Sequence, residues 1–258
     1  MTRSQRRKLL RYGAYTLVAA SLIGLVGTSA AYSSYHWNWS AFFEDGFWLL
    51  IKALPYTLIV AAVSLLVALP LGVIVGLCRV AHDPVASGLG TAFVELVRGT
   101  PLLVQLYVWY FVIGDVYGLT ELQAGCAGLS CFTASYIAEI VRGGIQSIDP
   151  GQMEAARSLG LTHVQAMRHV ILPQALRRVL PPLASEFIAL VKDSSLVSVI
   201  GLTELTKATR DVQGRTFLTF EAWLTTAAIY LVINLALSLA VRGLEKKLGQ
   251  GERQAAIR

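Results

Sequence analysis

Glu139 and Arg142 stand three residues apart within residues 122–145, and Glu186, Lys192 and Asp193 stand within 179–203; both stretches are otherwise rich in apolar side chains. An ionisable group among apolar neighbours is costly unless it is paired or faces water. A separation of three puts Glu139 and Arg142 on one helix face, where carboxylate and guanidinium can pair. The arginine lies near the end of its stretch and can extend to polar surroundings. This pair is expected to hold structure or a gate. Glu186 and Asp193 are seven apart, so they share a face two turns apart, while Lys192 points about 100° away from Asp193. Carboxylates and a cation so placed would suit a path for a solute carrying both charges; alternatively, Lys192 and Asp193 pair with neighbouring helices. No HExxH, GxSxG or Walker A sequence occurs. The histidines His36, His82, His163 and His169 are scattered, and the last two, six positions apart, have a poor helical spacing for metal ligands. No catalytic residue, cofactor or metal is expected.

The elements that must carry these groups are membrane helices. Of the 258 residues, 55% are hydrophobic and 15% charged, against about 25% charged in a soluble domain. Charge-free runs cover 12–31, 53–78 and 222–241, each long enough to cross a bilayer core, which takes about 20 residues. Interrupted apolar segments cover 87–114, 122–145 and 179–203, making six candidate spans in an all-α integral membrane protein. The net charge of +6 needs no nucleic-acid partner, because membrane proteins gather Lys and Arg on cytoplasmic segments. With both termini placed in the cytoplasm, the clusters Arg3–Arg11, Arg142–Arg178 and Arg242–Arg258, with Arg79 and Arg98, all fall inside. Only Lys52, Lys192, Lys207, Arg210 and Arg215 do not. The first run follows a basic segment and ends in Ser29, Ala30 and Ala31, as a cleaved leader would. Its 20 residues exceed the usual leader core, so a retained helix is expected.

The longest inside segment is 146–180. Asp149 is placed to cap a helix, Pro150 to occupy its first position and Gln152 to complete a capping box. Gly160 is placed to end that helix in the left-handed conformation. Thr162 and Gln165 then start a second helix, which Pro173 disturbs. A helix of about ten residues is marginal alone, so the first one is expected to pack on its own membrane domain or on a partner. The small pair Ala155 and Ala156 permits close approach.

Glu154-Ala155-Ala156, Gly160, Val170 and Leu172-Pro173 resemble the EAA loop of ABC-importer membrane subunits, with Val170 where isoleucine is usual. Arg98-Gly99-Thr100-Pro101-Leu102-Leu103-Val104-Gln105-Leu106 is similar to the RGTPLLVQL signature of polar amino-acid permeases. So is the run from Tyr136 to Ile145, YIAEIVRGGI, and Lys192-Asp193-Ser194-Ser195-Leu196 resembles that family's KDTSL with serine for threonine. The resemblance covers about 46–248. It implies a five-helix importer core at 46–248 with a coupling loop at 146–180. The additional helix lies in 1–45 and a cytoplasmic tail in 249–258. It further implies a chain in the bacterial inner membrane whose Glu154, Ala155, Ala156 and Gly160 dock on an ABC ATPase. The implied partners are an ATPase dimer, a second permease subunit (identical or a sister), a periplasmic amino-acid-binding protein and the lipid bilayer.

A secondary transporter would also need buried charge, but such proteins often carry an internal repeat, which this chain does not show. An intramembrane enzyme would need a nucleophile or metal motif. Cys126 and Cys131 are read as lying in or near the outside-facing connection between the third and fourth spans. There a disulfide is open to them, as is packing as two small apolar residues at a helix start. Cys78, at a cytoplasmic end, is expected to stay reduced.

Overall fold

The computed structural model describes residues 35–255, with side chains as far as 243, and a handful of positions between 17 and 28. The helix expected at 12–31 therefore lies outside the continuously described residues. Two compact units are present, Met1–Ser40 and Ala41–Arg258. In the first, Trp37 stacks on Trp39 with ring centres 5.9 Å apart and meets Tyr35 edge-on. The second is helical among the described residues.

After a π-helical turn at Phe42–Gly46, α1 runs through Phe47–Val80, despite Pro55 and Pro70. α2 spans Pro84–Arg98, capped by Asp83, whose carboxylate accepts from the Ala86 amide at 2.8 Å. α3 is Leu102–Tyr107 and continues through a π-helical stretch, Val108–Gly114, to Tyr117. α4 is Glu121–Gln146, opened by a capping box between Thr120 and Gln123. The loop helices are α5, Pro150–Ser158, and α6, His163–Ala166. A π-helical stretch at Met167–Ile171 leads into α7, Leu172–Asp193, which tightens into a 3₁₀ segment at Ser194–Ile200. α8 is Leu205–Thr216 and α9 is Thr219–Ala255.

Among the described residues, three helices are long and apolar enough to cross a membrane: Trp39–Val80, Glu121–Gln146 and Thr219–Gly243. A fourth crossing is available if the pair Pro84–Arg98 and Leu102–Tyr117 counts as one. That pair is bent by 99°, so the segment expected at 87–114 is not a straight span. The turn falls where Pro101 pushes Thr100 out of helical conformation. Gln105 supports the break: its amide donates to the Val97 carbonyl at 2.6 Å and to Thr100 Oγ1 at 2.8 Å. A carbonyl left orphaned at the end of α2 is thereby satisfied. The segment 179–203 also differs from the expected span. It joins the polar-faced end of α7 to the 3₁₀ segment and reverses at Gly201, φ +92°.

The tightest seam joins α1 to α4. Apart from Leu50 and Val60, the buried face of α1 is built of small residues, Ala53, Thr57, Ala61, Ser64, Ala68, Gly72 and Gly76. A Cβ on Gly72 would stand 2.6 Å from Ile137 Cβ, and one on Gly76 would stand 2.8 Å from Val141 Cβ. Small side chains let helix backbones approach, and in lipid that packing drives association. At the other end of α1, Thr57 Oγ1 accepts from the Leu205 amide at 3.0 Å. The buried Glu204 caps α8 through the Lys207 amide and accepts from the Tyr230 hydroxyl at 3.1 Å. These bonds tie α8 to α1 and α9.

The cysteine expectation is corrected here. Cys126 and Cys131 both lie inside α4 and are free, as is Cys78. Five positions along a helix separate two residues by about 7.5 Å of rise and about 140° of rotation. That is beyond the reach of a disulfide, about 7 Å between Cα atoms.

Candidate coupling loop and polar membrane site

The loop folds much as its local signals dictate. Thr162 and Gln165 form a reciprocal capping box, and Gly160 has φ +84°. The Gly160 amide bonds the Arg157 carbonyl and the Leu161 amide bonds that of Ala156, closing α5 with a left-handed turn. Gln152 does not complete a box. Asp149 turns its carboxylate to the Gly151 amide at 2.7 Å instead, leaving Gln152 to meet Gln174 across the loop at 3.4 Å. The second helix is disturbed ahead of Pro173, as expected, without being broken. The backbone widens into π geometry at Met167–Ile171 and continues into α7.

Within α5 the motif residues separate. Ala156 is buried against this chain's own helices, 4% exposed. Glu154, Ala155 and Gly160 are exposed. The small pair is thus divided between an inner and an outer contact. His163 meets His82 with ring centres 4.8 Å apart, whereas His169 Nδ1 lies 2.9 Å from the Gln165 carbonyl. Among the described residues no group of three metal-binding side chains occurs.

Close to the loop, Glu139 collects three cations. Arg79 from the end of α1 donates to its Oε1; Arg142 donates to Oε2 from Nη2 at 2.7 Å and from Nε at 3.1 Å. Arg98, at the end of α2, stands 3.6 Å from Oε1 and lies over the Tyr136 ring at 4.9 Å. The expected Glu139–Arg142 pair is present, and Arg79 and Arg98 are the residues that sequence reasoning missed. Arg98 opens the RGTPLLVQL stretch and Glu139 lies in YIAEIVRGGI, whereas Arg79 belongs to neither and is sixty residues from Glu139. The carboxylate ties α1, α2 and α4 together and leaves the cluster with excess positive charge.

Glu186 and Asp193 lie half-buried along α7, and Lys192 is exposed. Among the described residues none of the three has an ion pair within 4 Å. Asp193 and Arg98 act electrostatically on Glu186, and Lys192 acts on Asp193. The helix therefore sets Asp193 within electrostatic reach of both Glu186 and Lys192.

The protein combines membrane-length helices with an exposed loop helix and half-buried ionisable groups. Residues 68–250 match the family described as "Binding-protein-dependent transport system inner membrane component", and the chain belongs to that family. It is an ABC-importer permease subunit, a multi-pass transport component rather than an enzyme. The "Probable glutamine ABC transporter permease protein GlnM" of Bacillus subtilis (strain 168) is 40% identical over 205 residues, covering 79% of this chain and 95% of that one. The "Glutamine transport system permease protein GlnP" of Escherichia coli (strain K12) is 36% identical over 214 residues, covering 82% and 97%. A crystal structure of an amino acid ABC transporter with histidines superposes with a TM-score of 0.73 at 39% identity, over 77% of this chain and 94% of that chain.

Proposed function

We propose that the chain is the permease subunit of an ATP-driven importer that moves a polar amino acid across the bacterial inner membrane by alternating access. The proposed partners are an ABC ATPase dimer, a second permease subunit and a periplasmic amino-acid-binding protein. One observation carries the mechanism: α5 exposes Glu154 and Ala155 on a capped helix, held by buried Ala156 below and the left-handed Gly160 beyond. Such a helix offers a partner a preformed, low-entropy contact. Glu154, Ala155, Ala156 and Gly160 form the coupling element, which follows α4 directly and so can pass motion to the membrane helices. Glu186, Lys192 and Asp193 line the translocation path, where carboxylates and a cation meet the ammonium and carboxylate of the solute. The glutamine permeases among the relatives support an amino-acid solute.

The reading is tested with the chain, its ATPase and its binding protein reconstituted in vesicles. Uptake of glutamine should require ATP and all three proteins. Uptake driven by an ion gradient without ATP would instead identify a secondary transporter. The proposed orientation has its own test. Reporters fused near Val164 and after Arg258 should read as cytoplasmic, and one near Leu119 as periplasmic. A periplasmic Val164 would put the loop out of reach of any ATPase.

A further inference from the structure

The helices α1, α4 and α7 line an open groove of about 600 Å³ that no role described above uses. Its size lies within the roughly 300–1,000 Å³ of pockets that bury small ligands. The wall is aliphatic, with Leu69 and Leu77 from α1, Ile145 from α4, and Leu176 and Leu183 from α7 among its side chains. Arg168 is the one charged residue lining it. The π-helical stretch at Met167–Ile171 sets that arginine at the junction of loop and membrane helix, exposed and without an ion pair among the described residues.

Two of the three walls, α1 and α4, are helices long and apolar enough to cross a membrane, which makes a hydrocarbon chain a fitting neighbour for the groove. A guanidinium at the rim has no carboxylate among the lining residues to satisfy it. A phosphate fits that need: arginine binds it through two parallel hydrogen bonds. Basic pockets between spans on the cytoplasmic side are suited to anionic head groups. A protein occupant would have to cover the guanidinium with an acidic partner.

We infer that this groove binds an anionic phospholipid of the inner leaflet, one acyl chain lying against Leu69, Leu176 and Leu183 and the phosphate on Arg168. The inference rests on the cytoplasmic placement of the loop proposed above. The lipid would touch both the second loop helix and α7, the helix that carries Glu186 and Asp193, and so joins the bilayer's composition to the coupling path.

The test places a fluorophore in the groove. The full-length chain carrying Leu176→Trp, a position 56% exposed, is reconstituted in phosphatidylcholine vesicles. Brominated-chain phosphatidylglycerol or brominated-chain phosphatidylcholine is then titrated in, with the parent chain as background. Added fluorescence should be quenched by phosphatidylglycerol at about fivefold lower mole fraction, as one cation near an anionic surface provides. Arg168→Gln should bring the two lipids to equality and Arg168→Lys should restore most of the preference. Equal quenching with Arg168 in place would make the groove ordinary lipid-facing surface and overturn the inference. Absence of quenching by either lipid would show it covered by protein, such as a second copy, and overturn it too. Selectivity in symmetric vesicles does not depend on orientation, so the reporter at Val164 fails independently of this test.

Discussion

Gly160→Val should abolish solute uptake while the protein reaches normal levels in the membrane. Gly160 has φ +84° with nothing within 4 Å of a built Cβ, so the harm comes from the backbone and not from a clash. A β-branched residue in the left-handed region costs roughly 1 kcal/mol or more. That is small beside the stability of the membrane helices but large for a nine-residue helix, whose end is set by the Gly160 and Leu161 amides. The turn relaxes, α5 loses its angle to α6, and the exposed Glu154 and Ala155 no longer meet the ATPase in register. Gly160→Asn, which tolerates the same conformation, should keep most uptake. Glu154→Lys should act in the same direction as valine, although an exposed charge contributes under about 1 kcal/mol by itself. Uptake and co-purification of the ATPase are measured in the same membranes. Wild-type values for Gly160→Val would remove the loop from the mechanism and leave the family assignment standing.

Glu139→Ala should lower the stability of the membrane domain by about 3 kcal/mol, since removing one partner of a largely buried ion pair leaves the other uncompensated. The Glu139 side chain is 23% exposed and that of Arg79 12%, and Arg79 Nε has no partner even with the carboxylate present. Alanine would leave three guanidinium groups facing one another across α1, α2 and α4. The midpoint of thermal aggregation in detergent should fall by several degrees, and uptake should fall with it. Adding Arg79→Gln to Glu139→Ala should recover part of the loss, because it removes the most buried of the unpaired charges. An unchanged midpoint for Glu139→Ala would mean that the cluster holds nothing together.

What the sequence made legible follows the range of the interactions. Thr162, Gln165 and Gly160 act on neighbours within four residues, so their roles could be read directly, and Glu139 with Arg142 likewise. Gln152 failed because Asp149 had a nearer donor in the Gly151 amide. Arg79 and Arg98 reach Glu139 only after three helices have packed, and no local pattern contains that. The bent pair of α2 and α3 misled because average hydrophobicity is blind to direction; Pro101 and the capping Gln105 were the signs of a turn. Cys126 and Cys131 lie in a helix that Thr120 and Gln123 open with a capping box, a local signal that sets them inside the helix and not in or near the connection before it. The divided fates of Ala155 and Ala156 needed the neighbours of α5 in place.

The meshing of Gly72 with Ile137 and of Gly76 with Val141 has a mechanical consequence. Two helices locked at two successive steps cannot slide by a residue or roll on one another without driving a side chain into backbone. They move as a single beam. At 1.5 Å per residue the 34 residues of α1 make that beam about 50 Å long. Pivoting it by ten degrees at the loop end would carry the far end, near Phe47, through roughly 9 Å. Any joint that bends must then lie outside this seam.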